Sequence, residues 1–394
     1  MQFIVISGFY EDSFMPKIAC KVVKFVKIFF KYLNASTFKK ACITIQALLN
    51  HENPTLYKLN LAASKVKKQS HEQNSRRLLQ SELIDFNAYA YSVLHSFNLE
   101  SKVVLTIDRT NNEFGSTKIN YLVLSVVYKN TSIPLYWQML DNNGGSSNGT
   151  QRIELISWFK DNFPDIHIEN ILADREFPCA EFLSYLLSQN INFIIRSKDV
   201  LCSDGDKKIK VSKLYPNLKN LPNQTKIDTK IRRIYDSRVF LHVRLNDKNQ
   251  RVYLISNQSN INAFQIYRKR WTIENMFGKF KTKGTKLEFS HLSNFKMLSN
   301  LFWLMAIAYI ISVKIGNFID SIKPIKTKTI KANGKTRTTK EFSLFNIGFN
   351  FLKNIFTNYL TNQVVMKQLY KLLNLSPNAR ITKRLAIYKI MTNF

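Results

Sequence analysis

The sequence predicts a mixed α/β core flanked by helical regions, and three observations carry that prediction. Between residues 101 and 315, apolar runs of strand length alternate with amphipathic helical stretches. Two of those runs close on an aspartate, Asp108 and Asp174. On either side, residues 1–100 and 342–394 show helical spacing of their apolar positions.

Residues 1–100 place Phe25, Ile28, Phe29 and Tyr32 at helical spacing among lysines. Thr37–Leu49, Thr55–Lys67 and Ser75–Ser96 repeat that mixture, with a break at Asn53-Pro54. A basic helical region of this kind is a candidate DNA-binding domain, although no clean helix-turn-helix signature is present. The blander reading is a helical region that is basic only because the whole chain is. Met1–Phe14 differ in composition from residues 15–100, so Met15 is a credible start beside Met1.

From Lys102 the period changes. KVVLTIDRT is a continuous apolar run ending at Asp108, as in a buried central strand with a carboxylate at its tip. Tyr121–Tyr128 and Ser132–Leu140 follow after short polar turns and complete an antiparallel meander. Asp141–Thr150 (DNNGGSSNGT) reads as a loop, Gln151–Phe163 as a helix stopped before Pro164, and Glu169–Asp174 as a second buried strand. Helix Cys179–Gln189 and strand Asn192–Lys198 continue the alternation. Residues 199–250 are polar, rich in lysine and contain Pro216 and Pro222; with short pieces such as Val239–Leu245 they read as a partly β insertion. Strand Arg251–Ser256 follows, then a helix from Asn262. Leu287–Val313 reads as buried helix that completes the core. Residues 316–341 read as a basic linker, since Lys323–Lys340 holds seven Lys/Arg and no acid. No internal repeat is visible.

The charge narrows the function. With 58 Lys+Arg against 27 Asp+Glu, the net charge is +31, spread along the chain, which points to a long polyanion: nucleic acid first, an anionic membrane surface second. An apolar content of 45% with 13% aromatics excludes a disordered tail. The four cysteines form no CxxC pair and the six histidines no HExxH, so a metal site must be built from carboxylates, which favours magnesium or manganese over zinc. The longest apolar run, Leu301–Val313, falls short of the roughly 20 residues that cross a bilayer. A cytoplasmic protein with free thiols and no membrane partner is expected.

YRKRWTIENMFGKFK, Tyr267–Lys281, organises the rest. At about 100° per residue, Tyr267, Arg270, Glu274 and Lys281 fall within an arc of roughly 60°. Ile266, Ile273, Met276, Phe277 and Phe280 form the neighbouring apolar face. A plain surface helix with an Arg270–Glu274 ion pair satisfies the same spacing. Likewise Asp108 and Asp174, taken singly, suit turn or capping roles. Taken together, two strand-tip aspartates and a helix glutamate suit two divalent cations about 3.5–4 Å apart, the clamp of an in-line phosphoryl displacement.

Tyr267, Arg270, Glu274 and Lys281 fit Tyr-x2-Arg-x3-Glu-x6-Lys without a gap, and the chain thereby resembles the IS4-type insertion-sequence transposases, DDE enzymes with an RNase H-like core. Asp108 in TIDRT and Asp174 in LADREF look like that family's first two catalytic motifs, and residues 199–250 lie where it carries an insertion. The resemblance covers residues 100–315. It implies that Asp108, Asp174 and Glu274 ligate two Mg2+ or Mn2+ ions and that Tyr267, Arg270 and Lys281 hold transposon-end phosphates. It also implies nicking by an activated water, a hairpin intermediate, joining to target DNA, and a homodimer that brings two ends together, for which 342–394 is a candidate surface. The resemblance further implies an insertion aromatic that stacks a flipped base; with no tryptophan in 199–262, Tyr235 or Phe240 would serve. Arg109 and Arg175, each following a catalytic aspartate, are secondary DNA-binding candidates, and Trp271 is expected to pack. The alternatives are a catalytically silent DNA-binding derivative and a metal-dependent nuclease that cuts without joining.

Overall fold

The computed structural model describes residues 27–29, 33–50, 53–60, 68–114, 117–140, 145–204, 207–220, 225–281, 283–332 and 335–357. Met15, the start of the 141–150 loop and residues 358–394 of the expected C-terminal helical region lie outside the described residues. Two compact units are present: residues 98–277, and residues 1–97 together with 278–394.

The first unit is built on an eight-stranded mixed sheet. β1 (Lys102–Phe114), β2 (Thr117–Tyr128) and β3 (Thr131–Leu140) form the antiparallel meander. After α4 (Gly149–Asn162), β4 (His167–Ala173) pairs parallel with β1. After α5 (Ala180–Ser188), β5 (Phe193–Ser197) pairs parallel with β4. The strand order 3-2-1-4-5 with this mixture of directions is an RNase H-like core. Helix α4 starts on a reciprocal cap: Asn148 Oδ1 accepts from the Gln151 backbone N–H at 2.8 Å, and Gln151 Oε1 accepts from the Asn148 N–H at 3.0 Å.

Residues 199–250 form a small hairpin, β6 (Leu201–Asp204) with β7 (Lys207–Lys210), and a larger one, β8 (Thr225–Ile234) with β9 (Ser237–Leu245). Sequence alone reads the region as interrupting the fold. Instead β9 pairs with β10 (Arg251–Ser256), which pairs with β5, so the larger hairpin extends the main sheet. Val239, Leu241, Val243 and Leu245 supply the reason: their period-2 apolar face is buried.

β1 also differs from expectation. It does not stop at Asp108 but continues to Phe114, because β2 still pairs with it through Phe114↔Thr117. What stops near Asp108 is the parallel partner: the last β1–β4 pair is Ile107↔Ala173.

The second unit is mainly helical: α1 (Ala35–Asn50), α2 (Lys68–Gln80), α3 (Phe86–Phe97), α8 (Phe295–Ile322) and α9 (Leu344–Thr357). Two helices, α6 (Ala263–Tyr267) and α7 (Trp271–Lys281), precede α8 in sequence. Helix α8 is long and apolar enough by composition to cross a membrane, yet its apolar stretch is buried inside the protein. It is apolar on every side and therefore needs enclosure, which α1, α2 and α9 provide. The stretch expected to complete the catalytic core thus packs with helices that come before and after that core in sequence. Asn300 Nδ2 donates to the Leu79 and Ser81 carbonyls at 2.8 and 2.9 Å and fixes the register of α8 on α2. The expected linker, 316–341, is instead the end of α8 plus a paired hairpin, β11 (Thr327–Ala332) and β12 (Lys335–Lys340).

Helices α8 and α9 touch backbone to backbone at Gly316 and Gly348; a Cβ on Gly348 would collide with the Ser312 carbonyl oxygen, and one on Gly316 with that of Leu344. Backbone cannot yield as a flexible side chain does. Gly348→Ala is therefore expected to cost about 1–3 kcal/mol or more. The check is the urea midpoint; an unchanged midpoint would contradict the close crossing.

Candidate active site

The register that ends at Ile107↔Ala173 makes Asp108 and Asp174 neighbours, each the next residue after that pair. β5 adds a third position on the same level: Ala173 pairs with Ile195, so Arg196 comes next, beside Asp174. Its Nη1 lies 3.7 Å from Asp174 Oδ1. Sequence patterns do not single out Arg196, although it is the lone charge in the strand FIIRS.

Tyr267–Lys281 is not one uniform helix. α6, capped by Asn262 Oδ1 accepting from the Gln265 N–H at 3.2 Å, passes through a 3-10 turn, Arg268–Arg270, into α7. The turn is tightened by i→i+3 bonds, the Trp271 N–H to the Arg268 carbonyl and the Thr272 hydroxyl to that of Lys269. A buried hydroxyl chain registers this segment on the sheet. Thr106 meets Ser125 at 2.6 Å and Ser132 at 3.4 Å, and Ser132 meets Thr272 at 2.6 Å. On the other side Ala263, Phe264, Ile266 and Tyr267 pack on Val104, Leu172, Ile194 and Leu254.

Held so, Arg270 sits among the carboxylates. It is 6% exposed; Nη1 donates to Asp108 Oδ2 at 3.2 Å and Nη2 to Glu274 Oε1. Its Nε is buried with no partner among the described residues. Its guanidinium stacks 5.5 Å from the Tyr267 ring centroid. The Tyr267 hydroxyl donates to Asp174 Oδ1 at 3.3 Å. Burial pushes the Tyr267 pKa up, against Arg270, so the hydroxyl stays a donor. Burial also opposes the charge of Arg270, but Tyr267, Glu274, Asp108 and Asp174 together hold its pKa above the ordinary value. Asp108 is pushed from 3.8 up to about 7, first by burial and then by Asp174 and Glu274, against Arg270 and the Arg109 N–H that donates to its Oδ1 at 2.8 Å.

Thus Asp108, Asp174, Glu274, Tyr267 and Arg270 converge, and the plain i,i+4 pair exists as well, within that cluster. Lys281 ends α7 two turns beyond Glu274; burial lowers its pKa, against Glu288. Arg109 is committed inside the protein: Nε and Nη2 grip both Glu176 oxygens at 3.1 and 3.2 Å, and Nη1 reaches Asn111 and Asn120 at 3.0 and 2.9 Å. Arg175 is exposed. Trp271, expected to pack, is 60% exposed. In the insertion, the Tyr235 hydroxyl accepts from Ser197 at 3.4 Å, and Phe240 is half-buried on β9.

The three carboxylates are acceptor-only oxygen donors, the set that suits a hard divalent cation, and a buried acid raised to about 7 is a group in need of positive charge. At present Arg270 supplies that charge, and among the described residues no three His, Cys, Asp or Glu side chains are grouped closely enough to hold a metal.

A family model described as "Transposase DDE domain" matches residues 101–311, more than half of the chain. The chain belongs to the DDE transposases. It is therefore a DNA transposase, a DNA-binding enzyme of the class that cleaves DNA and transfers strands. Among solved structures, the cryo-EM structure of a piggyBac transposase synaptic complex with hairpin DNA matches with a TM-score of 0.43 and 12% identity, over 92% of this chain and 84% of that one. No curated protein matches the sequence.

The raised Asp108 makes this transposase pH-sensitive in a defined direction. A carboxyl whose pKa is higher folded than unfolded binds its proton more tightly when folded, so its contribution to stability is lost as pH rises from about 4 to about 7. In metal-free buffer, Asp108→Asn is expected to gain on the wild type across that window by on the order of 4 kcal/mol, and no further above it. Urea unfolding at pH 4, 5.5, 7 and 8.5 reads the difference; a flat difference would contradict the burial of Asp108.

Proposed function

We propose that the chain is an IS4-type, cut-and-paste transposase that acts at its element's terminal inverted repeats. Asp108, Asp174 and Glu274 would hold two Mg2+ or Mn2+ ions, and Tyr267, Arg270 and Lys281 would hold the transposon-end backbone. The observation that carries the reading is the register: two strands and one helix deliver three carboxylates to one end of an RNase H-like sheet, with Arg270 bonded to two of them. When bound, divalent cations supply the charge that activates the attacking oxygen and stabilises the leaving one in an in-line displacement.

The chain's own residues divide the remaining work. Asp108 and Glu274 offer oxygens now occupied by Arg270, and Asp174 offers a carboxylate oriented by the Tyr267 hydroxyl and Arg196. The Arg270 Nε is a buried donor that no described residue uses. In the proposed sequence, water displaces the 3′-oxygen at the element's end, and that freed 3′-hydroxyl then attacks the opposite strand to leave a hairpin. The hairpin is reopened and the end joined to target DNA. Two ends must be cut together, so the working form would be a homodimer, acting on the bacterial nucleoid in the cytoplasm.

The test is cleavage of labelled duplex carrying the gene's flanking repeats, with and without magnesium, beside Glu274→Gln. Magnesium-dependent cuts at the repeat boundary and strand-transfer products are expected from the wild type. The variant should bind the same duplex and leave it uncut; if it cuts at the wild-type rate, the ligand assignment fails. Tight binding by the wild type with no cuts in any metal would favour a silent DNA-binding derivative. Cuts without joining would favour a nuclease.

Metal binding should also register without DNA. Magnesium at a hundredfold excess over its Kd is expected to stabilise the wild-type fold by about 2.7 kcal/mol. A thermal shift that survives unchanged in Asp108→Asn would place the metal elsewhere.

A further inference from the structure

The acid-free segment between Lys323 and Lys340 is folded into a ribbon. β11 and β12 pair from Thr327↔Lys340 to Ala332↔Lys335. Its base is anchored to the end of α8 by one carboxylate. Asp320 Oδ1 accepts from the Ile325 N–H at 3.0 Å, and Asp320 Oδ2 pairs with Lys340 Nζ. Ile325 is buried, and the Glu341 N–H donates to the Lys326 carbonyl at 2.9 Å, closing the base.

Lys326 and Lys328 are exposed, and neither forms an ion pair among the described residues. Thr327, Thr329, Thr336 and Thr338 are exposed with them. By the register, Lys328 lies on the face opposite Thr327, Thr329, Thr336 and Thr338, so the ammonium groups and the hydroxyls, both of which bond phosphate oxygens, are on different faces. A two-stranded ribbon is also narrow enough to enter the major groove of B-form DNA, about 12 Å wide. An anionic membrane is a poor fit, because interfacial binding needs a buried apolar face and the ribbon's strands carry only Ile330 and Ala332.

We propose that the β11–β12 ribbon is a second DNA contact of this transposase, separate from the site residues. It grips the duplex backbone through Lys326 and Lys328, without reading bases. The inference rests on the chain acting on DNA. Binding of this kind is driven by counterion release, so its signature is the slope of affinity against salt.

The experiment measures duplex affinity of the full chain across a salt series for wild type, Lys326→Gln/Lys328→Gln and Lys326→Arg/Lys328→Arg. The glutamine pair is expected to lose about tenfold in affinity near 0.1 M salt and to flatten the slope by about 1.8, while the arginine pair keeps both. In parallel, lysine acylation of the wild type should show Lys326 and Lys328 protected by duplex, a readout independent of how any variant folds. Unchanged slope with both lysines unprotected would overturn the ribbon contact and leave the transposase reading standing. Protection by phosphatidylserine vesicles but not by duplex would overturn it in favour of a membrane. A wild type with no affinity for duplex DNA would overturn both.

Discussion

A buried guanidinium between carboxylates sets the terms for the catalytic unit. Arg270 bonds Asp108 and Glu274 at once, with Tyr267 stacked on its face and bonded to Asp174. Two or three carboxylates brought this close would repel one another and protonate. Asp108 is raised even with the arginine in place, first by burial and only then by Asp174 and Glu274. Positive charge among them is therefore a condition of the arrangement. A residue that meets that condition in the free protein ties the stability of the site to the spacing of its carboxylates.

That arrangement depends in turn on register. Asp108, Asp174 and Arg196 come level only because β1, β4 and β5 pair in parallel through Ile107, Ala173 and Ile195. A slip of one residue would turn each of them to the other face of the sheet. The glutamate helix is held to the same precision by a chain of hydroxyls from Thr106 to Thr272 under the site. These are small, buried and satisfied groups, so they fix the helix's position at little cost.

The carboxylates and the Tyr/Arg/Glu column were legible because each sits in a strong local pattern: an apolar run closing on Asp, or fixed spacing on a helix. Arg196 and Glu176 were not, since their roles come from strand register and from a contact with Arg109 that spacing cannot reveal. The 3-10 turn at Arg268–Arg270 was hidden for a related reason, as no Gly or Pro marks it and tertiary bonding by Thr272 accompanies it. The larger insertion hairpin was recognised as β but not as part of the main sheet, because period-2 burial does not say which strand is the neighbour. The basic segment after Lys323 looked like a linker by composition; what composition could not show is that Asp320 ties its base.

The division of the chain has a consequence for its biosynthesis. The helical unit is drawn from both sides of the sheet unit in sequence, and α2 meets its partner α8 through Asn300, more than 200 positions downstream. At about 5–20 residues per second, a ribosome needs on the order of 10–40 s to supply that partner. For that interval α1 and α2 have each other and the Lys58–Asn60 turn to pack against but lack α8, while the sheet unit, contiguous in sequence, is completed before α8 is made. The nascent chain thus passes through a state with a complete catalytic sheet and a half-built helical unit.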